Sequence, residues 1–189
     1  MKKIVVFASG SGSNAENIIK YFAKGKTGVV VSVFTNNANA KVIERSKKNG
    51  VSVEIFSKED LNESKVLHKI NQIKPDLIVL AGFLLKFPED IVAAYPDKII
   101  NIHPALLPKY GGKGMYGIRV HQAVVDNKDV ETGITIHYVN DHYDEGNVIF
   151  QATVLLSGSE SADEVAAKIH ELEQEHFPLV IEKLLTSNL

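Results

Sequence analysis

Asn101 and His103 stand in a short apolar segment that ends at Pro104, and their types and spacing could support acid–base chemistry. They alternate with Ile100 and Ile102, so in an extended strand both polar side chains face the same side. An amide N–H can stabilise a developing oxyanion, and a neighbouring imidazole can transfer a proton. The pattern predicts such a pair at the end of a strand, although two purely structural polar groups would give the same pattern.

A carboxylate further along the chain could complete this pair. The acidic segment from Asp141 to Gly146 follows a predicted strand, and a carboxylate within it could orient His103 or raise its pKa. Taken alone, the segment is better interpreted as a simple acidic turn. Its Asp-x-x-Asp spacing is a poor match to known metal-binding loops, so we expect no metal site.

A glycine-rich loop, Gly10-Ser11-Gly12-Ser13-Asn14-Ala15, separates a predicted strand from a predicted helix. Glycines let the backbone approach an anion, and the N-terminus of the helix offers free N–H groups. The loop matches the dinucleotide fingerprint, but that site needs an acidic residue about twenty positions later. The corresponding segment is Thr35-Asn36-Asn37-Ala38-Asn39, without a carboxylate. We therefore expect a single phosphate here; a plain connecting turn is the alternative.

The elements that position these residues alternate between strand and helix. Short runs of apolar and β-branched residues predict strands at 4–8, 29–34, 51–56, 77–81 and 99–102. Helical spacing and capping signals predict helices at 15–22, 40–48, 61–73 and 89–94. Strand–helix alternation of this kind predicts an α/β fold with a doubly wound, mostly parallel sheet and right-handed crossovers.

The second half of the chain has a different pattern. Residues 104–117 are rich in proline and glycine, which is typical of a functional or mobile loop. A helix is predicted at 118–126, followed by strands at 133–139 and 148–155 that read as an antiparallel pair. Ser161 and Glu164 form a capping box that opens a long C-terminal helix.

Composition excludes several classes of function. The 189 residues include no cysteine, which rules out disulfides, thiolate catalysis and cysteine-rich zinc sites. A net charge of −2 without a basic run argues against nucleic-acid and anionic-membrane partners. No apolar stretch is long enough for a bilayer span, and the N-terminal apolar run is too short for a signal peptide. We expect a cytoplasmic protein that acts on small molecules, as a monomer or weak homodimer.

The segment from Asn101 to Tyr110, N-I-H-P-A-L-L-P-K-Y, resembles the core motif of the folate-dependent formyltransferases. Three further segments share the resemblance: Gly12-Ser13-Asn14, Leu80-Ala81-Gly82-Phe83 and Asp144-Glu145-Gly146. It extends from Ile4 to Leu184 and is closest to the single-domain bacterial members that formylate glycinamide ribonucleotide. The resemblance implies a Rossmann-like formyltransferase fold with antiparallel strands in the C-terminal part.

The resemblance also implies an activity and its residues. The formyl group of the cosubstrate 10-formyltetrahydrofolate would pass to the amine of 5-phosphoribosylglycinamide, a step of de novo purine biosynthesis that needs no metal. The catalytic residues would be Asn101, His103 and Asp144. The ribonucleotide phosphate and ribose would be bound by Gly12, Ser13, Asn14 and Glu173. The folate would be bound by Lys58, Leu84, Leu85, Lys86, Phe87, Asn101, Val139, Asn140 and Asp141.

These roles imply a single domain over residues 1–189 with two functional halves. Residues 1–100 would form the phosphate-binding half, and residues 101–189 the folate-binding and catalytic half. In the implied reaction the amine attacks the formyl carbon directly, and Asn101 with a protonated His103 stabilises the tetrahedral intermediate. Asp144 would keep His103 positively charged.

Three departures from the family pattern leave parts of this interpretation open. Ala105 replaces a usual serine, Leu85 stands where a basic residue is common, and the loop at 111–117 is unusually rich in glycine. Formyl transfer to an amino sugar nucleotide and hydrolysis of formyltetrahydrofolate remain alternatives. A methionyl-tRNA formyltransferase is disfavoured because such enzymes usually carry a second, basic β-rich domain. A nucleotide-binding sensor without chemistry is the alternative from another class.

Overall fold

Seven strands form one mixed sheet in the computed structural model, which describes residues 1–187. They are β1 (Lys2–Phe7), β2 (Gly28–Thr35), β3 (Ser52–Ile55), β4 (Leu77–Leu80), β5 (Ile99–His103), β6 (Glu131–Tyr138) and β7 (Val148–Leu155). Their order across the sheet is β3-β2-β1-β4-β5-β6-β7. The first five pair in parallel, whereas β6 is antiparallel to both β5 and β7. The predicted fold class, mostly parallel with antiparallel C-terminal strands, is confirmed.

Seven helices in the same residues cover the sheet. They are α1 (Ser13–Lys24), α2 (Val42–Lys48), α3 (Lys58–Asn62), α4 (Lys65–Ile73), α5 (Glu89–Ala94), α6 (Ile118–Asp126) and α7 (Ala162–Thr186). The predicted capping box opens α7, since the Ser161 hydroxyl accepts a hydrogen bond from the Glu164 N–H. No helix within residues 1–187 has the length and apolar character that a membrane crossing requires.

Each face of the sheet packs against its own group of helices, which gives the domain two apolar cores. Ile4 and Val6 of β1 pack with residues of α1 and α7, whereas Val5 and Phe7 pack with residues of α4 and α5. Because β1 is buried on both faces, its sequence is a continuous apolar run without polar alternation. The central strands are thereby fixed on both sides, and their carboxyl ends are held rigidly at one edge of the sheet.

The helix predicted at 61–73 begins earlier and is broken into α3 and α4. Ser57 caps α3 in a capping box with Asp60. Ser64 then adopts a left-handed conformation with φ 57°, which ends the helical run. The Ser64 hydroxyl donates a hydrogen bond of 2.6 Å to the Asp90 carboxylate, so a contact with α5 stabilises the break. Propensity alone does not predict the break, because this partner is distant in sequence.

Gly133 lets β6 and β7 approach each other closely. We predict that Gly133→Ala destabilises the fold. A Cβ at this position would lie 2.0 Å from the Ala152 carbonyl oxygen and 2.7 Å from Leu106 Cδ2. We expect the free energy of unfolding, measured by urea denaturation, to fall by about 1–3 kcal/mol. Gly25→Ala is the matched control, because its Cβ would meet nothing closer than 3.9 Å. Equal stability of the two variants would contradict the predicted close approach.

Candidate active site

A cavity of about 630 Å³ opens at the carboxyl ends of β1, β4 and β5. Since β2 and β4 flank β1 on opposite sides, the connections leave the sheet in opposite directions here, which is where open α/β sheets bind ligands. The glycine loop lines one part of the cavity, and Asn101, His103 and Asp144 line another. The structure thus brings together three segments that lie far apart in the sequence.

Antiparallel pairing of β6 with β5 brings a second histidine to Asn101. Asn101 lies directly opposite His137 in the register, and the Asn101 amide nitrogen is 3.1 Å from His137 Nε2. His137 Nδ1 lies 2.8 Å from the Tyr138 carbonyl oxygen, to which it must donate. In the neutral ring Nε2 is therefore an acceptor, and it receives one N–H of Asn101. The other amide N–H of Asn101 is left for an oxygen in the cavity.

His103 is almost fully buried, and this burial decides its charge. Its Nε2 donates a hydrogen bond of 2.7 Å to the Tyr110 carbonyl oxygen, while Nδ1 lies 3.7 Å from the Asp144 carboxylate. Burial lowers the pKa of His103 below its usual value, although Asp144 and the Tyr110 carbonyl act in the opposite direction. The expectation that Asp144 keeps His103 positively charged is therefore wrong for the free protein, because desolvation outweighs the carboxylate.

Asp144 is ionised, and a hydrogen bond from the Gly112 N–H fixes it beside the rings of His103 and His137. Its carboxylate accepts a 2.9 Å hydrogen bond from the Gly112 N–H and lies 3.6 Å from His137 Nε2. Burial would raise the pKa of Asp144, but His137, His103 and the Gly112 amide together hold it below its usual value. The carboxylate thus presents a fixed negative charge beside His103, and the contact with Gly112 links it to the glycine-rich loop at 111–117.

The glycine loop leads directly into the first turn of α1. Gly12 is the N-cap residue of α1 with φ 72°, and no side chain within residues 1–187 caps the helix. A Cβ at Gly12 would lie 2.4 Å from Val42 Cγ2, so glycine is required for both conformation and space. Ser13 is the first helical residue and also lines the cavity. The free N–H groups of this helix start can bind an anion.

The side chain of Asn14 connects the loop to α7. Its amide nitrogen donates a 2.8 Å hydrogen bond to Glu173, and its oxygen accepts a 2.7 Å hydrogen bond from Gln174. His170 lies 3.6 Å from the same Glu173 carboxylate, which raises the pKa of His170. Both polar atoms of the Asn14 amide contact α7, and within residues 1–187 the second N–H of its amide nitrogen remains free for a ligand. The same side chain positions Glu173 at the cavity.

An apolar wall completes the cavity beyond β4. Leu84, Leu85, Lys86 and Phe87 all line it, as do Val139 and Asn140 after β6. Phe87 is buried against Phe7, with ring centroids 5.1 Å apart, so this part of the wall rests on the core. Leu84 is about half exposed, and its N–H donates to the Ser9 hydroxyl. The wall thus has a rigid base and an exposed rim.

Two residues expected in the folate site do not line the cavity. Lys58 is an exposed residue at the first position of α3. Asp141 is exposed, and its carboxylate lies 3.0 Å from His142 Nδ1 on the surface of the loop. Neither side chain belongs to the cavity wall, whereas the neighbouring Asn140 and His142 do.

Sequence reasoning missed two histidines of the cavity, His121 on α6 and His137 on β6. The alternation of Thr135 and His137 with buried isoleucines was the available signal for His137. Thr135 supports the same edge, since its hydroxyl donates a 2.7 Å hydrogen bond to the Ala105 carbonyl oxygen. His121 gave no comparable signal. No group of three histidine or acidic side chains within residues 1–187 is arranged to hold a metal ion.

The lowered pKa of His103 predicts a pH-dependent stability. The unfolded chain binds a proton at this residue near pH 6.5, whereas the folded protein does so only at lower pH. Stability must therefore fall as the pH drops below 6.5, by up to about 1.4 kcal/mol per pH unit for each proton. We expect a shallower fall in His103→Gln, measured by urea denaturation from neutral pH to about pH 5.5.

The exposed residue His68 on α4 provides the control for this comparison. His68→Gln should retain the pH dependence of the unchanged protein, because it removes an exposed histidine and leaves the buried His103 in place. If His103→Gln and the unchanged protein lost stability in parallel, His103 would not be a buried neutral residue.

Known proteins resemble this chain over nearly its whole length, both in sequence and in structure. The family model for formyl transferase matches residues 2–181. Phosphoribosylglycinamide formyltransferase of Escherichia coli K12 is 36% identical over 184 residues, covering 94% of this chain and 84% of that protein. The crystal structure of phosphoribosylglycinamide formyltransferase from Streptococcus pneumoniae TIGR4 has a TM-score of 0.87 at 34% identity, covering 98% of this chain and 100% of that one.

A plant relative differs in length. Chloroplastic phosphoribosylglycinamide formyltransferase of Arabidopsis thaliana is 38% identical over 182 residues, which are 93% of this chain. The chain spans 62% of the length of that relative. The match to the family model nevertheless takes in all seven strands and the catalytic candidates, from β1 into α7. The chain belongs to the formyl transferase family.

Proposed function

We propose that the protein transfers the formyl group of 10-formyltetrahydrofolate to the amine of 5-phosphoribosylglycinamide, giving formylglycinamide ribonucleotide for purine biosynthesis. The observation that carries the proposal is a single cavity with three chemically different parts. It contains a helix start without a side-chain cap among residues 1–187, an amide–imidazole–carboxylate group and an apolar wall. A phosphorylated acceptor, a reacting formyl group and an aromatic folate ring need these three environments. The names of the E. coli and S. pneumoniae proteins agree with this assignment.

The ribonucleotide would occupy the cavity between the glycine loop and β5. Its phosphate would accept hydrogen bonds from the N–H groups at the start of α1, around Gly12 and Ser13. Glu173 would accept hydrogen bonds from the ribose hydroxyls, with Asn14 holding the carboxylate in place. Anchoring the phosphate away from the reacting amine would restrict the substrate to a reactive position.

The folate would occupy the apolar part of the cavity. Leu84, Leu85, Phe87 and Val139 offer surface for its ring system, and Asn140 offers polar groups at the edge. Lys86 lines the same wall but pairs with Glu89 at 3.1 Å. Since Lys58 and Asp141 lie outside the wall, we leave them out of the proposed folate site.

Both halves of the chain would serve both substrates in one domain. The apolar wall at 84–87 lies in residues 1–100, although the catalytic group lies in residues 101–189. Conversely, Glu173 in the second half faces the proposed ribonucleotide position. We therefore propose a single formyltransferase domain with a shared cavity in place of separate phosphate and folate halves.

In the proposed reaction the substrate amine attacks the formyl carbon, and negative charge develops on the formyl oxygen. The free N–H of Asn101 would donate to that oxygen, while His137 holds the amide in the required orientation. The new C–N bond leaves a proton to be removed from the former amine. No protein nucleophile is needed in this sequence of steps.

His103 would carry that proton. Because the ring is neutral in the free protein, it can accept the proton at Nδ1, and Asp144 3.7 Å away would stabilise the resulting imidazolium. The imidazolium would then donate the proton to N10 of the folate as the original C–N bond breaks. The formyl group and one proton thus move in opposite directions, and His103 returns to its neutral state.

The test of this function is a reaction with glycinamide ribonucleotide and 10-formyl-5,8-dideazafolate, a stable folate analogue, followed by absorbance. Deformylation that requires the ribonucleotide would establish the transferase. Deformylation without an acceptor would identify a hydrolase and contradict the proposal. Deformylation that requires an amino sugar nucleotide instead would assign a different acceptor.

Removing either polar group at the end of β5 should slow turnover much more than it affects folding. Loss of one oxyanion donor typically costs on the order of a hundred- to a thousandfold in rate, and we expect Asn101→Leu to lower kcat by this factor. His103→Gln should lower kcat by about a hundredfold or more, because the proton carrier is lost. His176→Gln, a histidine packed on Phe150 outside the cavity, should keep full activity. Normal turnover in either cavity variant would contradict the assigned role.

A charge introduced at Gly10 tests the phosphate site without a steric clash. A Cβ at Gly10 would meet nothing within 4 Å, unlike one at Gly12. We expect Gly10→Asp to raise KM for the ribonucleotide on the order of a hundredfold, because a carboxylate would face the phosphate at short range. Gly10→Asn has nearly the same size without the charge and should cost far less. Equal KM values for the two variants would contradict phosphate binding at this loop.

A further inference from the structure

His121 is a buried polar residue that the catalytic group does not use. It lies in the first turn of α6, is only 7% exposed, and lines the cavity. Its Nδ1 atom is fully buried and has no hydrogen-bond partner within residues 1–187. An unpaired polar atom in the interior typically costs about 1–3 kcal/mol, so a buried histidine of this kind needs an explanation.

The electrostatic surroundings favour the neutral ring. Glu173 faces His121 from α7 and His103 faces it from β5, close enough for both to influence it. Burial lowers the pKa of His121, the charge of Glu173 opposes this effect, and His103 adds to it. At neutral pH the ring therefore carries one proton, on one of its two nitrogen atoms.

The buried atom indicates which nitrogen carries that proton. An N–H group without an acceptor in the interior is rarer than an acceptor without a donor. The proton therefore belongs on Nε2, and Nδ1 keeps a lone pair. Because the side chain lines the cavity while Nδ1 is buried, we infer that the Nε2–H faces the cavity.

We propose that His121 binds the ribonucleotide by donating its neutral Nε2–H to the glycinamide carbonyl oxygen. The inference rests on the proposed function, which puts the ribose at Glu173 and the reacting amine at His103. His121 lies near both residues, so the substrate segment beside it is the one that joins ribose to amine. The carbonyl is the hydrogen-bond acceptor of that segment. This contact would select an acceptor with an amide between its ribose and its amine.

The variant His121→Leu should weaken ligand binding without weakening the fold. Leucine removes the donor and replaces an unpaired buried polar atom by an apolar group, so the melting temperature should stay the same or rise. The affinity for glycinamide ribonucleotide, measured by titration calorimetry without folate, should fall about tenfold. His121→Gln keeps an N–H donor near the position of Nε2 and should restore part of the affinity. His176→Leu is the matched control outside the cavity and should bind normally.

Binding of ribose 5-phosphate tests whether His121 contacts the glycinamide carbonyl or another part of the substrate. It has the phosphate and the ribose but not the glycinamide, so His121→Leu should bind it as tightly as the unchanged protein does. Equal affinity of His121→Leu and the unchanged protein for glycinamide ribonucleotide would overturn the inference. An equal loss for both ligands would place the contact on the ribose and also overturn it. Failure of the unchanged protein to bind glycinamide ribonucleotide would instead overturn the proposed function.

Discussion

The antiparallel pairing of β6 with β5 is the interaction on which the candidate site depends. It places His137 directly opposite Asn101 and fixes the amide orientation. The same strand leads into the segment 139–144, which returns Asp144 to within 3.7 Å of His103. A parallel strand at this position would run in the opposite direction and could not return the carboxylate over so short a connection. The change of strand direction after β5 therefore assembles the candidate catalytic group, Asn101, His103 and Asp144.

Burial at the same edge of the sheet influences the protonation states of His103 and Asp144. His103 is enclosed so completely that desolvation outweighs its carboxylate neighbour, and the resting ring is neutral. Asp144 nevertheless remains ionised, because three neighbouring groups offset its own burial. A neutral base beside a fixed anion is suited to receive a proton and to release it again. In the proposed function, the glycine loop and the apolar wall would bring the two substrates to this pair.

Much of the fold could be predicted because its signals are local. Apolar runs and capping residues indicate α5, α6 and β7 with the bounds that the structure has, and the alternation around Asn101 and His103 indicates their shared face. The positions of His121 and His137 in the cavity could not be predicted in this way, because they follow from strand pairing and helix packing between distant segments. The charge of His103 depends on its burial, which a sequence pattern does not measure. The engagement of Asn14 by α7 is likewise a long-range contact.

The most direct test of this account is a ¹⁵N NMR titration of histidine-labelled protein, with His103→Gln used to assign the His103 signals. The account predicts a neutral His103 at pH 7 that carries its proton on Nε2 and becomes charged only below its usual pKa of 6.5. A His103 that is already an imidazolium at pH 7 would contradict the account. In that case Asp144 would dominate over burial, and His103 would begin the reaction as an acid.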